Sequence, residues 1–166
     1  ERLQTELLHN VALRVERGES PDKFKVSGRG ELHLGILIEN MRREGYELAI
    51  SKPMVVLKEV DEQTQEPYEN LTVDIDANHQ GRVMEKLGER KAELKDMLPD
   101  SKGRVRLDYV IPTRGLIGFY TEFLTATSGS GLIYHTFSHY GPYLGKSIHS
   151  RKNGVLVAKE IGRAHV

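Results

Sequence analysis

The sequence predicts an α+β protein of two ferredoxin-like domains of the βαββαβ type, with antiparallel sheets and with the opening strand of the first domain missing. Polar and apolar residues alternate in "NLTVDID" and "GRVRLDYVI", which is the period of strands that bury one face. The elements read α, β, β, α, β and then β, α, β, (β), α, β along the chain. Two helices on one face of an antiparallel sheet are typical of the ferredoxin-like plan.

The first predicted domain covers residues 1–60. A leucine stripe predicts an opening helix that ends near His9, and strands are expected at 11–15 and 24–27 around the turn cluster "RGESPD". A second helix is expected from Glu31 to Glu44, followed by Gly45 in the usual C-cap position, and then strands at 46–50 and 54–60. The apolar face of that second helix consists of Leu34, Leu37, Ile38 and Met41.

The second predicted domain covers residues 67–143, after a polar linker at 61–66. The stretch "DEQTQEP" shows neither the helix nor the strand period, which favours a boundary there. The expected elements of this domain are a strand at 70–76, a helix at 80–95, a strand at 103–111, a helix at 116–126 and a strand at 132–140.

The overall charge excludes a strong general attraction to nucleic acid or membrane. The chain has 166 residues, with 24 Lys and Arg balanced by 24 Asp and Glu, and it contains no cysteine. Disulfides and thiolate metal sites are therefore excluded. No apolar stretch is long enough to span a bilayer. An anionic partner must be met by a local basic patch, since a neutral chain can still carry a positive face.

Three motifs that suggest chemistry fail on spacing. In "VSGRGELHLG", His33 stands where a dinucleotide fingerprint needs its third glycine, so a plain strand-to-helix bend is favoured. In "GPYLGKS" only three residues separate the glycines, one fewer than in a P-loop. His135 and His139 are expected on one strand face about 13 Å apart, too far for one ion. We predict no catalytic, cofactor-binding or metal-binding residues in this chain.

Clustered cations give the better indication of function. Arg82, Lys86 and Arg90 recur at every fourth position of a predicted helix. They form either a solvated face paired with Glu85, Glu89 and Glu93 or an RNA-facing surface. The same alternatives apply to Arg104 and Arg106 on the outward face of a strand. Arg114 and Gly115 precede a helix, which indicates either a phosphate contact or a plain turn.

Long phrases of the chain resemble a known family. "SGRGELHLGILIENMRREGYELAISKP" resembles the third domain of translational GTPases of the elongation factor G superfamily, and the sequence from "EPYENLTVDID" to "YHTFSHY" resembles their fifth domain. "RGLIGF", "EFLTATSGSG" and "NGVLVA" are most similar to the BipA/TypA branch. The resemblance implies a cytoplasmic, ribosome-binding GTPase that acts in translation and large-subunit assembly.

The resemblance also implies roles for parts of this chain. The GTP-binding domain, with its GTP and Mg²⁺, would lie outside the chain, so the chain alone should not hydrolyse GTP. Its partners would be rRNA, ribosomal proteins and that GTP-binding domain, with no membrane involved. RNA contacts would come from the loop His79–Gln80–Gly81 and the loop 112–118, while Arg29 would face the GTP-binding domain or the small subunit.

The remaining expectations concern the C-terminus and a rival function. Residues 144–159 would begin a further domain, and residues 160–166, which resemble a translated sequencing adapter, are expected to be non-native. The alternative function is a ligand-sensing regulatory module on the same ferredoxin-like plan.

Overall fold

The computed structural model describes residues 1–145, 148 and 154–158. The predicted domain at 144–159 and the end of "GPYLGKS" lie partly, and the predicted tail at 160–166 wholly, outside these residues. In chain order, the described elements are α1 Arg2–His9, β1 Arg14–Arg17, β2 Phe24–Ser27, α2 Glu31–Arg43, β3 Leu48–Ile50, β4 Lys58–Val60, β5 Gln63–Asp76, α3 Gln80–Glu89, β6 Glu93–Pro99, β7 Arg104–Pro112, α4 Thr113–Leu116, α5 Phe119–Ala126, β8 Leu132–Pro142 and β9 Val155–Val157. The described residues divide into two compact units, one within Glu1–Ser51 and Asn153–Val166 and the other within Lys52–Lys152.

The second unit is built on an antiparallel sheet in the order β8, β5, β7, β6, and β4 pairs with the beginning of β5. This is the strand order that two split βαβ units produce, and the predicted α+β, ferredoxin-like class is confirmed. Alternate residues of the two central strands point toward the helices, which explains the alternation read from the sequence. The core consists of Leu71, Val73, Ile75, Val83, Leu87, Val105, Leu107, Tyr109, Ile111, Phe119, Phe123 and Ala126.

The helix predicted at 80–95 ends six residues early. α3 stops at Glu89, and Lys91 has a φ of 61°, which takes the chain out of the helix. The following residues form β6, which pairs with β7. Every residue of β6 is exposed, so this edge strand lacks the alternating pattern that would have revealed it. The helix predicted at 116–126 begins at Phe119 instead, because Gly118, with a φ of 71°, separates α5 from the short helix α4.

The polar segment predicted as a linker is part of a hairpin. β4 and β5 pair antiparallel around Asp61 and Glu62, whose φ angles of 51° and 62° are those of a tight hairpin turn. β5 therefore starts at Gln63, well before the first alternating residue at 70. The sequence gives little sign of this turn, since neither central residue is the glycine or asparagine that such turns prefer. The domain boundary itself stays a prediction.

In the first unit, the element order α, β, β, α, β agrees with the predicted one. β1 and β2 form an antiparallel hairpin, and β3 pairs with β9. The buried core is small and consists of Leu13, Leu37 and Met41, with Leu3, Leu7, Val15, Val26, Leu34 and Leu48 packed against it. Leu34, Leu37 and Met41 are thus core residues, as the helical period of α2 indicated.

Candidate nucleic-acid interface

The two loops predicted to contact RNA lie at opposite ends of the second unit. β5 and β7 are antiparallel, with Asp76 opposite Arg104 and Tyr68 opposite Pro112. The loop that follows β5 and the loop that follows β7 therefore leave the sheet at different ends, about 26 Å apart at the rise of a strand. The sequence-predicted residues do not converge on one site.

One end brings three loops together, and we name residues 77–82, 100–103 and 127–131 the three-loop end. The Ala77 N–H donates to the Gly103 carbonyl at 2.9 Å, and the Ser130 hydroxyl donates to Asp76 at 2.8 Å. His79 and Gln80 are half-buried here, and the Gln80 amide lies 3.2 Å from the sulfur of Met97. The Gln80 amide therefore makes its contacts within the unit.

The cations of α3 have different surroundings. Arg82 is exposed, and its guanidinium has no ion pair among the described residues. Lys86 lies 3.2 Å from Glu89, which is the predicted pairing at a spacing of three. Among the predicted phosphate contacts on this helix, Arg82 offers its charge most directly to a partner.

Arg90 is buried, contrary to the prediction that it faces RNA. It is 2% exposed, and its guanidinium donates to the carbonyls of Gly115 at 2.6 Å and Ile117 at 3.1 Å. It also pairs with Glu122 at 3.0 Å, not with the predicted Glu93. These contacts lie within the unit, so Arg90 joins the end of α3 to α4 and to the residue that follows α4.

Arg114 also makes its contacts within the unit, through a side chain that is 15% exposed. Its guanidinium forms a two-point ion pair with Glu66, whose side chain is fully buried, and lies 4.7 Å from the ring centroid of Tyr143. The hydrogen bond to Glu66 raises the pKa of Arg114 above its usual value. The Leu144 N–H adds a third hydrogen bond to the Glu66 carboxylate at 2.9 Å.

Gly115 has a packing explanation. A Cβ at this position would lie 2.7 Å from the Arg90 carbonyl and 3.1 Å from the Ile111 side chain. The absence of a side chain lets the two backbones approach each other, as glycine does at close contacts. Gly115 is buried, so the atoms that contact it closely belong to the same unit.

Arg104 and Arg106 lie on the sheet face opposite the helices, among carboxylates. Arg104 contacts Asp74 at 2.6 Å and Asp76 at 3.1 Å, and the hydrogen bond to Asp74 raises its pKa. Arg106 pairs with Asp108 at 3.2 Å. The strand register adds Asp96 to the same face. Because four aspartates there outnumber the two arginines, this face is a poor match for RNA phosphates.

Arg29 is exposed in the turn before α2, where its backbone has a structural role. The Arg29 N–H donates to Nδ1 of His33 at 3.1 Å, and Nε2 of His33 then donates to the Asn10 side chain at 3.1 Å. A Cβ on Gly28 would lie 2.8 Å from Nδ1 of His33. The glycine-rich "GRGELH" turn therefore packs around its histidine.

His135 and His139 do not share a strand face. The register of β8 against β5 shifts between Tyr68 and Glu69, so one residue of β8 bulges and the alternation inverts. His135 contacts Glu69, whereas His139 stacks on Tyr68 with ring centroids 5.3 Å apart. Within the described part of the chain, no three His, Asp or Glu side chains come together as a metal site requires.

Comparison with known proteins identifies the family. The sequence profile described as Elongation factor G C-terminus matches residues 63–150, which is more than half of the chain. The chain belongs to this elongation factor G C-terminus family. No helix among the described residues is long and apolar enough to cross a membrane.

Relatives of this elongation factor G-type chain are named "Large ribosomal subunit assembly factor BipA". The proteins of Haemophilus influenzae and Salmonella typhimurium are each 62% identical to it over 99% of the chain, and that of Buchnera aphidicola is 54% identical over the same share. The predicted resemblance to the BipA/TypA branch is confirmed. The chain spans 27% of the length of each of these relatives.

Proposed function

We propose that this chain is the ribosome-docking portion of a BipA/TypA-type translational GTPase that acts in translation and assembly of the large ribosomal subunit. The observation that carries the proposal is the 62% identity to assembly factors over 99% of the chain. The partners would be rRNA and ribosomal proteins in the cytoplasm, together with the GTP-binding domain of the same protein. That domain would hold GTP and Mg²⁺, as the resemblance to translational GTPases implies.

The three-loop end is the part of the second unit that we propose to face RNA. Arg82 is exposed there, while Arg90 is buried and the partly buried Arg114 is paired with Glu66. Arg104 and Arg106 lie on an acidic face. Docking would depend on cations that neutralise phosphates and release counterions, so it should weaken with salt. In this role the residues would bind RNA without catalysing a reaction.

Neutralising the α3 cations tests this proposal. We expect Arg82→Gln combined with Lys86→Gln, in the full-length protein, to weaken binding to purified large ribosomal subunits. Each lost phosphate contact should lower the slope of log affinity against log salt concentration by about 1. Sedimentation of the protein with subunits at several KCl concentrations measures this slope.

Arg106→Gln is the matched control, because it removes an exposed arginine from the acidic sheet face. Its salt slope should equal that of the unchanged protein. Equal slopes for the control and the double variant would contradict a docking role for α3, and absence of subunit binding by the unchanged protein would overturn the proposed function.

Gly81 should separate stability from binding. It lies exposed in the first turn of α3, and a Cβ there would meet no atom within 4 Å. Gly81→Ala is therefore expected to stabilise the fold by up to about 1 kcal/mol through helix propensity. If RNA approaches the backbone at this turn, the added methyl group should nevertheless weaken subunit binding. Urea unfolding and sedimentation measure the two effects, and unchanged binding would remove Gly81 from the interface.

A further inference from the structure

The turn between β6 and β7 belongs to the three-loop end and lies outside the stretches that the sequence predicts to contact RNA. The Asp100 carboxylate accepts the N–H groups of Lys102 at 2.8 Å and Arg104 at 2.7 Å, which fixes the turn. The Gly103 carbonyl accepts the Ala77 N–H, so the turn is joined directly to the loop that contains His79. Lys102 is exposed, and its ammonium group has no ion pair among the described residues.

Asp76 and Asp100, the two aspartates that border this end of the sheet, have partners within the unit. Asp76 accepts from Arg104 and from the Ser130 hydroxyl, and Asp100 accepts the two backbone N–H groups of its own turn. These contacts occupy oxygens of both aspartates within the unit, while Lys102 and Arg82 are exposed and have no ion pair among the described residues.

Each of the three loops also exposes a glycine. The Cβ positions of Gly81, Gly103 and Gly129 have no atom within 4 Å, so packing inside the unit does not exclude a side chain at any of them. Gly103 and Gly129 adopt φ angles of 83° and 78°, which shape their turns. Backbone without side chains beside unpaired cations lets a sugar–phosphate chain approach closely.

We infer that Lys102 contacts an RNA phosphate, together with Arg82 and the backbone of the three-loop end. This inference rests on the proposed ribosome-docking function and adds Lys102 of the turn 100–103 as a named phosphate contact. The contact positions the domain without reading base sequence, since a lysine ammonium bonded to phosphate carries no base information.

Lys102→Gln tests the inference against Lys91→Gln, which removes an exposed lysine at the opposite end of the sheet. In the full-length protein, Lys102→Gln is expected to lower the salt slope of large-subunit binding by about 1, whereas Lys91→Gln should leave it unchanged. If the unchanged protein binds and the two variants have equal slopes, the inference fails while the proposed function stands. If the unchanged protein does not bind at any salt concentration, the proposed function fails first.

A tethered probe distinguishes RNA from an acidic protein partner. The chain contains no cysteine, so Lys102→Cys and Lys91→Cys each create a single attachment site within it for an iron chelate that generates hydroxyl radicals. We expect the chelate at position 102 to cut rRNA in bound large subunits and the chelate at position 91 to cut it far less. Cleavage of ribosomal protein without cleavage of rRNA, or equal rRNA cleavage from both positions, would overturn the inference.

Discussion

Arg114→Ala is expected to lower the free energy of unfolding of the second unit by about 3–5 kcal/mol, because it leaves a buried carboxylate without its cation. The Glu66 side chain is fully buried and the Arg114 side chain is only 15% exposed, so water replaces little of the lost interaction. A loss of this size should lower the melting temperature by more than about 10 °C in a domain of this length. Urea unfolding followed by circular dichroism measures the change.

The double variant Glu66→Gln with Arg114→Met separates the ion pair from simple packing. Glutamine keeps an acceptor for the Leu144 N–H, and neither side chain is charged. Replacing a buried pair in this way is often close to neutral, so the double variant should recover most of the lost stability. If Arg114→Ala unfolds at the same urea concentration as the unchanged protein, the pair has no structural role and the phosphate-contact reading of Arg114 becomes the better one.

Arg90→Ala is expected to be similarly severe, with a loss of about 3–5 kcal/mol from broken charge-assisted hydrogen bonds and a vacated volume. The carbonyls of Gly115 and Ile117 would lose their guanidinium donor, and the packing against Phe119, whose ring centroid lies 5.2 Å from the guanidinium carbon, would be lost. Urea unfolding gives the global effect. Amide hydrogen exchange should show residues 113–118 opening more readily than the strands of the sheet.

Arg90→Lys provides the control for charge. A single ammonium group does not reproduce the fork that serves two carbonyls and Glu122 at once, so its stability should fall between those of the unchanged protein and Arg90→Ala. Equal stability of Arg90→Lys and the unchanged protein would mean that the charge alone matters, and unchanged exchange in the loop would remove the connecting role of Arg90.

Much of the fold follows from periodicity, and the exceptions have physical causes. β5, β7 and α2 each bury one face, so their apolar residues repeat at the period of the element. β6 buries no residue, so its first residues resemble the end of the predicted helix at 80–95. The first part of β5 is polar and therefore resembles a linker. The helix break at Gly118 depends on a backbone angle that a glycine permits but does not require.

The candidate interface was less predictable, because ion pairs join residues that are distant along the chain. Glu66 and Arg114 are 48 positions apart, and no spacing rule relates them. The spacing in the sequence predicts that Arg90 is the third cation on one face of a helix. α3 ends one residue earlier, at Glu89, so Arg90 does not continue that face. Lys102 was missed for the converse reason, since its significance depends on a hydrogen bond between Ala77 and Gly103.

The length of β5 has a mechanical consequence. This strand of 14 residues is bonded to β7 on one side and to β8 on the other over most of its course, so bending it would break ladders on both sides at once. We therefore expect the second unit to resist bending along β5, so that its two ends keep nearly the same separation. A force applied at one end would then move the other end with it.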